Sequence, residues 1–310
     1  MTQLMTRSGS PASPLCFGTM QFGSTADHAA SKALYEACRD KGLNFFDTAY
    51  AYNDGASEQF LGEFAAHELD DVILASKISF DAPHTATNVK ASTATSLDRM
   101  GMDSVDLMYL HRWDDETPLD ETFEALATLK AQGKFRYVGV SNFSAWQVVK
   151  ACNVAAKFDL KIDVLQPMYN LVKRQAEVEI IPACDDQGIA IVPYSPLGGG
   201  LLTGKYAKGG GGRLKEVDMY AKRYDIEWMH VTASVLPALA KRLGTDAATL
   251  AVAWVAYNEG VSAPIISARS VDQLAPSLAA MSFQMTQSIY DEMTALTPTP
   301  APATDRLEEV

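Results

Sequence analysis

Four ionisable residues lie where strand-like apolar runs end. Asp47 closes Phe45-Phe46-Asp47, Lys77 comes late in the run from Val72 to Ser79, and His111 closes Leu107-Met108-Tyr109-Leu110-His111. Tyr52 follows Asp47 in the next loop. Each has a plain reading by itself: a structural Asp–Lys salt bridge, a packed histidine, a half-buried tyrosine. Together, at the same end of neighbouring strands, they make a coherent acid. A phenol with a pKa of about 10 keeps its proton near neutrality, and an adjacent ammonium favours the phenolate and draws that pKa down. Asp47 would hold Lys77 charged and oriented. His111 would orient a carbonyl or share its proton. Tyr52 would protonate a developing alkoxide. No side chain supplies hydride, so the chemistry calls for a cofactor.

The elements around these residues repeat a strand–helix unit. Strand patterns are read at 15–18, 44–48, 72–79, 105–110, 137–140, 164–168, 189–194 and 264–268. Between them run helical patterns at 26–41, 57–66, 88–100, 119–132, 145–158, 177–187, 231–243 and 247–257, with another at 271–280. Asp27 suits an N-cap, and Gly42, Gly101, Gly133 and Gly188 suit helix stops. The strands are unbroken apolar runs such as Val72-Ile73-Leu74-Ala75, as expected of parallel strands covered on both faces. Eight such units predict a closed (β/α)8 barrel with function at the C-terminal ends of its strands. A doubly wound sheet is disfavoured because no G-x-G-x-x-G follows a strand. Two stretches break the rhythm. Residues 198–224 hold Gly198-Gly199-Gly200 and Gly209-Gly210-Gly211-Gly212 with Lys205, Lys208, Arg213 and Lys215, and read as a mobile loop, a candidate lid. Residues 297–310 read as a loose, proline-rich tail.

With 310 residues and a hydrophobic fraction of 47%, the chain suits one large domain over 1–310. A net charge of −12 argues against nucleic acid and anionic membranes as partners. Cys16, Cys38, Cys152 and Cys184 form no C-x-x-C pair and read as free thiols. The N-terminus lacks a signal-peptide core and no run approaches a membrane span, so a cytoplasmic protein is expected.

The chain resembles the aldo-keto reductase superfamily, in its bacterial aldehyde-reductase and channel β-subunit-like branch. The resemblance rests on Asp47-Thr48-Ala49 with Tyr52, Gly55-Ala56-Ser57-Glu58 and Leu61-Gly62, on Val138-Gly139-Val140-Ser141-Asn142-Phe143, on Lys77 in Ala75-Ser76-Lys77, and on His111 in Tyr109-Leu110-His111-Arg112. It spans about Leu15 to Ala280. It implies a (β/α)8 barrel that reduces aldehydes or ketones with NADPH. It also implies Asp47, Tyr52, Lys77 and His111 as the catalytic set. Gly18, Thr19 and Met20 would line the nicotinamide end. Ser141, Asn142 and Gln166 would hold the carboxamide, and Tyr194 would stack on the ring. Ser195, Pro196, Leu197, Gly200 and Leu201 would follow the pyrophosphate.

The departures lie at the adenosine end. Where many relatives carry a Glu-Asn pair, this chain has Pro276-Ser277. Ser267, Arg269 and Gln273 remain for the 2′-phosphate, with Ser277 beside them. Arg269 suits a phosphate because its guanidinium bonds bidentately. NADPH is preferred, with NADH as the alternative. Phe22, Tyr50 and Trp113, with Tyr224, are candidates for a stacking wall around a small carbonyl substrate beside Tyr52 and His111. The substrate stays open among acyclic aldehydes, sugars, pyridoxal and quinone-like carbonyls, and the oligomeric state is open too. Two other readings stand: a cofactor-loaded barrel that docks a partner, and a metal-dependent barrel enzyme. The second is weakened by five histidines of which only His111 ends a strand.

Overall fold

The structure, a computed structural model, describes residues 2–206, 209–306 and 308. Its strands are β1 (Cys16–Gly18), β2 (Phe45–Asp47), β3 (Ile73–Lys77), β4 (Val105–Leu110), β5 (Phe135–Ser141), β6 (Val164–Gln166), β7 (Ala190–Ile191) and β8 (Ile265–Ile266). They pair in parallel in the order β7-β6-β5-β4-β3-β2-β1-β8. The sheet curls shut: Tyr194, just past β7, bridges Ile265 in parallel, and the Ile265 N–H donates to the Pro193 carbonyl at 2.8 Å. This is the expected (β/α)8 barrel.

The helices are α1 (His28–Asp40), α2 (Ala56–Ala65), α3 (Ala86–Met100), α4 (Leu119–Ala131), α5 (Ala145–Ala155), α6 (Ile180–Asp186), α7 (Arg213–Glu216), α8 (Asp218–Tyr224), α9 (Glu227–Arg242), α10 (Ala247–Tyr257), α11 (Val271–Leu278) and α12 (Gln287–Thr294). Asp27 caps α1 as its sequence suggests, accepting from the Ala30 N–H at 2.9 Å. Helices approach closely where a glycine permits it. At Gly62 of α2, an added Cβ would run into the backbone of Met100 at the end of α3.

Two apolar layers hold the barrel. The larger lies between strands and helices and contains Phe17, Phe46, Leu74, Met108, Val138 and Leu165. The smaller fills the barrel itself with Cys16, Phe45, Ile73, Ala75, Leu107, Tyr109, Val164, Ala190, Val192 and Ile265, and Leu4 packs against it. Successive residues of a strand face opposite sides, so both layers draw on the same strands.

The structure departs from the sequence reading in four places. Strands seven and eight are shorter than expected, since Pro193 and Pro264 have no N–H to donate to the ladder. The stretch 198–224 contains a 3₁₀ turn (Gly198–Thr203), α7 and α8. Gly199 and Gly200 in that turn have φ of 66° and 91°, which glycine adopts at little cost. Lys208 lies outside the described residues. The segment before the tail forms α12, capped by Thr286, and its Tyr290 stacks on Trp254 at 5.4 Å and 10°. Thr297, expected to open the loose tail, is buried and accepts from the Arg174 guanidinium at 2.9 Å. Lastly, an N-terminal turn bridges Met5 to Pro11, with the Ala12 N–H donating to the Leu4 carbonyl at 2.9 Å.

Candidate active site

Strand parity places the polar residues. Phe45, Ile73 and Ala75, and Leu107 and Tyr109 point into the barrel. Two residues further on come Asp47, Lys77 and His111. They form the top layer of the barrel interior, at the C-terminal strand ends. Gln166 stands in the same relation to Val164, and Tyr194 to Val192. Gly139, the inward position before Ser141, leaves room for the Tyr109 ring, which an added Cβ would meet.

Lys77 is fully buried, and Asp47 nearly so. The Lys77 ammonium donates to an oxygen of the Asp47 carboxylate, to the Thr48 carbonyl at 2.7 Å, and to the Tyr52 hydroxyl at 3.5 Å. The other Asp47 oxygen accepts from Gln166 Nε2 at 2.9 Å. Tyr52 begins a 3₁₀ turn (Tyr52–Gly55) whose geometry is imposed from below. Asn53, at φ 51°, donates to the Met20 and Phe22 carbonyls at 2.9 and 2.7 Å. Glu58, fully buried, accepts from Ser76 at 2.6 Å and pairs with Arg99 at 3.0 Å, while Arg99 also donates to the Tyr50 carbonyl at 2.8 Å. Ser57 bonds the Thr19 and Thr48 hydroxyls, each at 2.8 Å. Sequence reasoning treats Ser57 and Glu58 only as part of a motif; the structure makes them the footing of the Tyr52 loop.

The electrostatics differ from expectation in one respect. Lys77 does pull the Tyr52 pKa down, but burial pushes it up more strongly, and Asp47 and Tyr220 add to the rise. The phenol therefore stays above its ordinary range and is a proton-bearing group at neutrality. Burial opposes the charge on Lys77, yet the Asp47 carboxylate and the Tyr52 oxygen outweigh it and raise its pKa. His111 is pushed down to about 3 by burial, then by the charges of Lys77 and His84. Its imidazole is neutral, lying edge-on to the Tyr52 ring at 6.0 Å and to Phe80 at 5.0 Å.

A cleft of about 800 Å³ opens above this layer. Of the residues singled out in the sequence, Gly18, Met20, Asp47, Tyr52, His111, Ser141, Asn142, Gln166, Tyr194, Ser195, Pro196, Leu197, Gly200, Ser267, Arg269 and Gln273 line it. Tyr194 donates to Asn142 Oδ1 at 2.8 Å, and Asn142 donates to the His111 carbonyl at 3.0 Å. Ser267 Oγ is buried and has no hydrogen-bond partner among the described residues. Arg269 faces Glu216 across the cleft at 3.7 Å, with Lys205 and Arg213 also on the wall. An orphaned hydroxyl, a cationic end and left-handed Gly199 and Gly200 fit an elongated, phosphate-bearing ligand such as a dinucleotide.

Several expected residues do not reach the cleft. Thr19 is buried, its hydroxyl spent on the Asp47 carbonyl at 3.0 Å. Leu201 turns into the core. Ser277 is buried in α11, and Pro276 takes its place on the wall. Phe22 is fully buried against Phe17 and Phe64, at 5.8 and 6.0 Å. Tyr50 lies under the Arg99 guanidinium at 4.5 Å. Trp113 packs on Phe143 and Trp146 at 5.1 and 5.4 Å, outside the lining. Tyr224 is buried and bonded to Asn170. The cleft lining includes instead Phe80, which packs edge-on against His111 at 5.0 Å, and Arg112, Met219, Tyr220 and Arg223. Among the described residues no three His, Cys, Asp or Glu side chains gather as a metal site.

Comparison with known proteins agrees with this geometry. The model of the aldo/keto reductase family matches residues 14–298. The chain is 34% identical over 314 residues to "Uncharacterized oxidoreductase YrpG" of Bacillus subtilis, covering 95% of both chains. It is 34% identical to "Probable voltage-gated potassium channel subunit beta" of Arabidopsis thaliana, covering 89% of each. Against "Aflatoxin B1 aldehyde reductase member 2" of Rattus norvegicus the identity is 33%, over 88% of this chain and 81% of the relative. An eight-stranded barrel carrying this polar layer, matched along nearly its whole length, belongs to the aldo/keto reductase family of NAD(P)H-dependent oxidoreductases.

Proposed function

We propose that the protein reduces aldehydes or ketones to alcohols with NADPH, and that Tyr52 is the proton donor. The observation that carries this reading is the buried Asp47–Lys77 pair reaching the half-buried Tyr52 beside a neutral His111, opening into one cleft. Bound nicotinamide supplies the hydride. As a C–H bond forms at the carbonyl carbon, the π electrons move to oxygen, and that oxygen takes the Tyr52 proton. The Lys77 ammonium, 3.5 Å from the tyrosine oxygen, stabilises the phenolate left behind. His111, being neutral, orients the carbonyl by hydrogen bonding without competing as an acid. Asn142, Gln166 and Tyr194 would hold the nicotinamide end, and Ser267, Arg269 and Gln273, with Lys205 and Arg213, the adenosine phosphate. That cationic grouping supports NADPH over NADH.

The four cysteines are free thiols, which supports a reducing, cytoplasmic setting. No helix among the described residues is long and apolar enough to cross a membrane. The test is Tyr52→Phe. It should lower kcat/KM for benzaldehyde by about 10²–10⁴-fold while NADPH still binds, followed by fluorescence. Full activity in that variant would remove Tyr52 as the acid. The plant relatives named as channel subunits motivate a second reading, a barrel whose main task is docking a partner. Rapid multiple turnover of a small aldehyde speaks against it.

A further inference from the structure

The outward faces of barrel helices meet water and are ordinarily polar. Thus α1 exposes Lys32 and Glu36, and α4 exposes Glu121 and Glu124. Helix α9 departs from this. From Trp228 to Ala240 it holds no Asp, Glu, Lys or Arg, in a chain whose net charge is −12. Its solvent side carries Val231 at 57% exposure and Val235 at 41%, with Ser234 and Ala238 also exposed. Spacings of three and four residues put Glu227, Val231, Ser234, Val235, Ala238 and Arg242 along one side of the helix. The other side is committed to the fold. Met229, Ala233, Leu236 and Ala240 are buried, and Gly204 lies so close to Pro237 that an added Cβ would run into its ring.

Little polar demand interrupts the exposed face. The Ser234 hydroxyl donates to the Val231 carbonyl at 2.7 Å, and His230 Nε2 turns back to donate to the Tyr224 carbonyl at 3.0 Å. Covering the face therefore strands neither donor. The charge missing from its middle is found at its ends. Glu227 opens α9, and Lys241 and Arg242 close it. Arg242 pairs with Glu292 in an exposed contact, from which it is free to swing.

A second α9 running the opposite way complements this pattern. With the axis of symmetry between Ser234 and Val235, Ser234 lies opposite Val235 of the second copy, Val231 opposite Ala238, Trp228 opposite Lys241, and Glu227 opposite Arg242. Each valine meets a smaller residue, and each acidic end meets a basic one.

We propose that two copies of the chain associate through α9, antiparallel about a two-fold axis between Ser234 and Val235. The contact is isologous, so every pairing occurs twice. A crossing angle near 20°, common for helices packed side by side, keeps the charged ends within reach. The excess of acidic residues elsewhere makes two copies repel, whereas the middle of this face carries none of that charge. A single helix pair lies at or below the roughly 1,000 Å² of a durable interface, so the dimer is weak, with a Kd in the micromolar range. The association does not depend on the carbonyl reduction proposed above.

The experiment is sedimentation of the full chain over about 1 to 500 µM, a span that brackets such an affinity. A reversible monomer–dimer equilibrium is expected. Val231→Glu together with Val235→Glu should weaken it by at least about 10-fold, because four carboxylates then crowd the axis. Glu227→Arg or Arg242→Glu alone should weaken it by roughly 5- to 10-fold, because like charges then face each other at both ends. The two reversals combined should restore the dimer, which also shows that the variants fold. A chain that stays monomeric over the whole range, a dimer indifferent to the two valine substitutions, or charge reversals that do not compensate would each overturn the inference.

Discussion

Lys77→Met would cut the centre of the site in a way that separates folding from chemistry. Lys77 is fully buried and gives its ammonium to Asp47, to the Thr48 carbonyl and to Tyr52. Its loss leaves the Asp47 carboxylate buried with only the Gln166 amide, at 2.9 Å, as a donor. Breaking a buried pair from one side costs about 3–5 kcal/mol, a large part of a typical stability of about 5–15 kcal/mol. Adding Asp47→Asn removes the stranded charge, so the double variant should regain most of that loss. Activity should not return with it. Without the ammonium nothing offsets the charge developing on the Tyr52 oxygen, a defect worth about 10²–10³-fold in kcat. The assay is a cycle of four proteins, each measured by denaturant midpoint at pH 7 and by kcat/KM for a reduced aldehyde. A Lys77→Met protein as stable as the parent would show that the pair does not hold a charge that needs holding. A double variant no more stable than the single would show that the damage is a packing defect instead of an unpaired carboxylate. A double variant regaining activity would remove Lys77 from the chemistry.

Two further results follow from the same geometry. Burial holds His84 near 4, with Asp114 raising and Arg112 lowering it, and holds His111 near 3. The unfolded chain protonates these imidazoles near pH 6.5 and the folded chain does not, so the unfolded state binds more protons and stability must fall as pH drops from about 6.5 toward 4. The slope is at most about 1.4 kcal/mol per pH unit for each histidine and less after solvent screening. Denaturant midpoints at several pH values check it, and a slope unchanged in His84→Asn would refute the assignment. At the adenosine end, Arg269→Gln should weaken NADPH by roughly 10-fold or more and leave NADH nearly untouched, whereas Glu216→Gln should tighten NADPH by at most about 5-fold, since exposed pairs contribute up to about 1 kcal/mol. Fluorescence titration with both nucleotides decides, and equal losses for both would place the 2′-phosphate elsewhere.

What could be read from the sequence follows the two periodicities of the chain. Asp47, Lys77 and His111 are each two residues past an inward apolar position on a buried strand, so alternation alone brings them to one layer at the barrel mouth. Tyr52 was legible as the loop residue beside them. The walls were not, because aromatic character reports burial as readily as it reports a binding surface. Phe22 and Tyr224 have that character and lie in the core, while Phe80 shares it and stands exposed on the cleft wall, and Tyr220 belongs to both the core and the lining. The distinction is made by chain segments with no period: the Asn53–Asp54 turn at positive φ, the Gly198–Thr203 turn, and the short α7 and α8 that bring Tyr220 and Arg223 over the site. The direction of the Tyr52 shift escaped for a related reason. A neighbouring lysine can be counted along a sequence, but desolvation depends on how the folded chain surrounds the phenol in three dimensions. At this site desolvation is the larger effect, and it makes Tyr52 a group that holds its proton until the carbonyl oxygen becomes basic enough to take it.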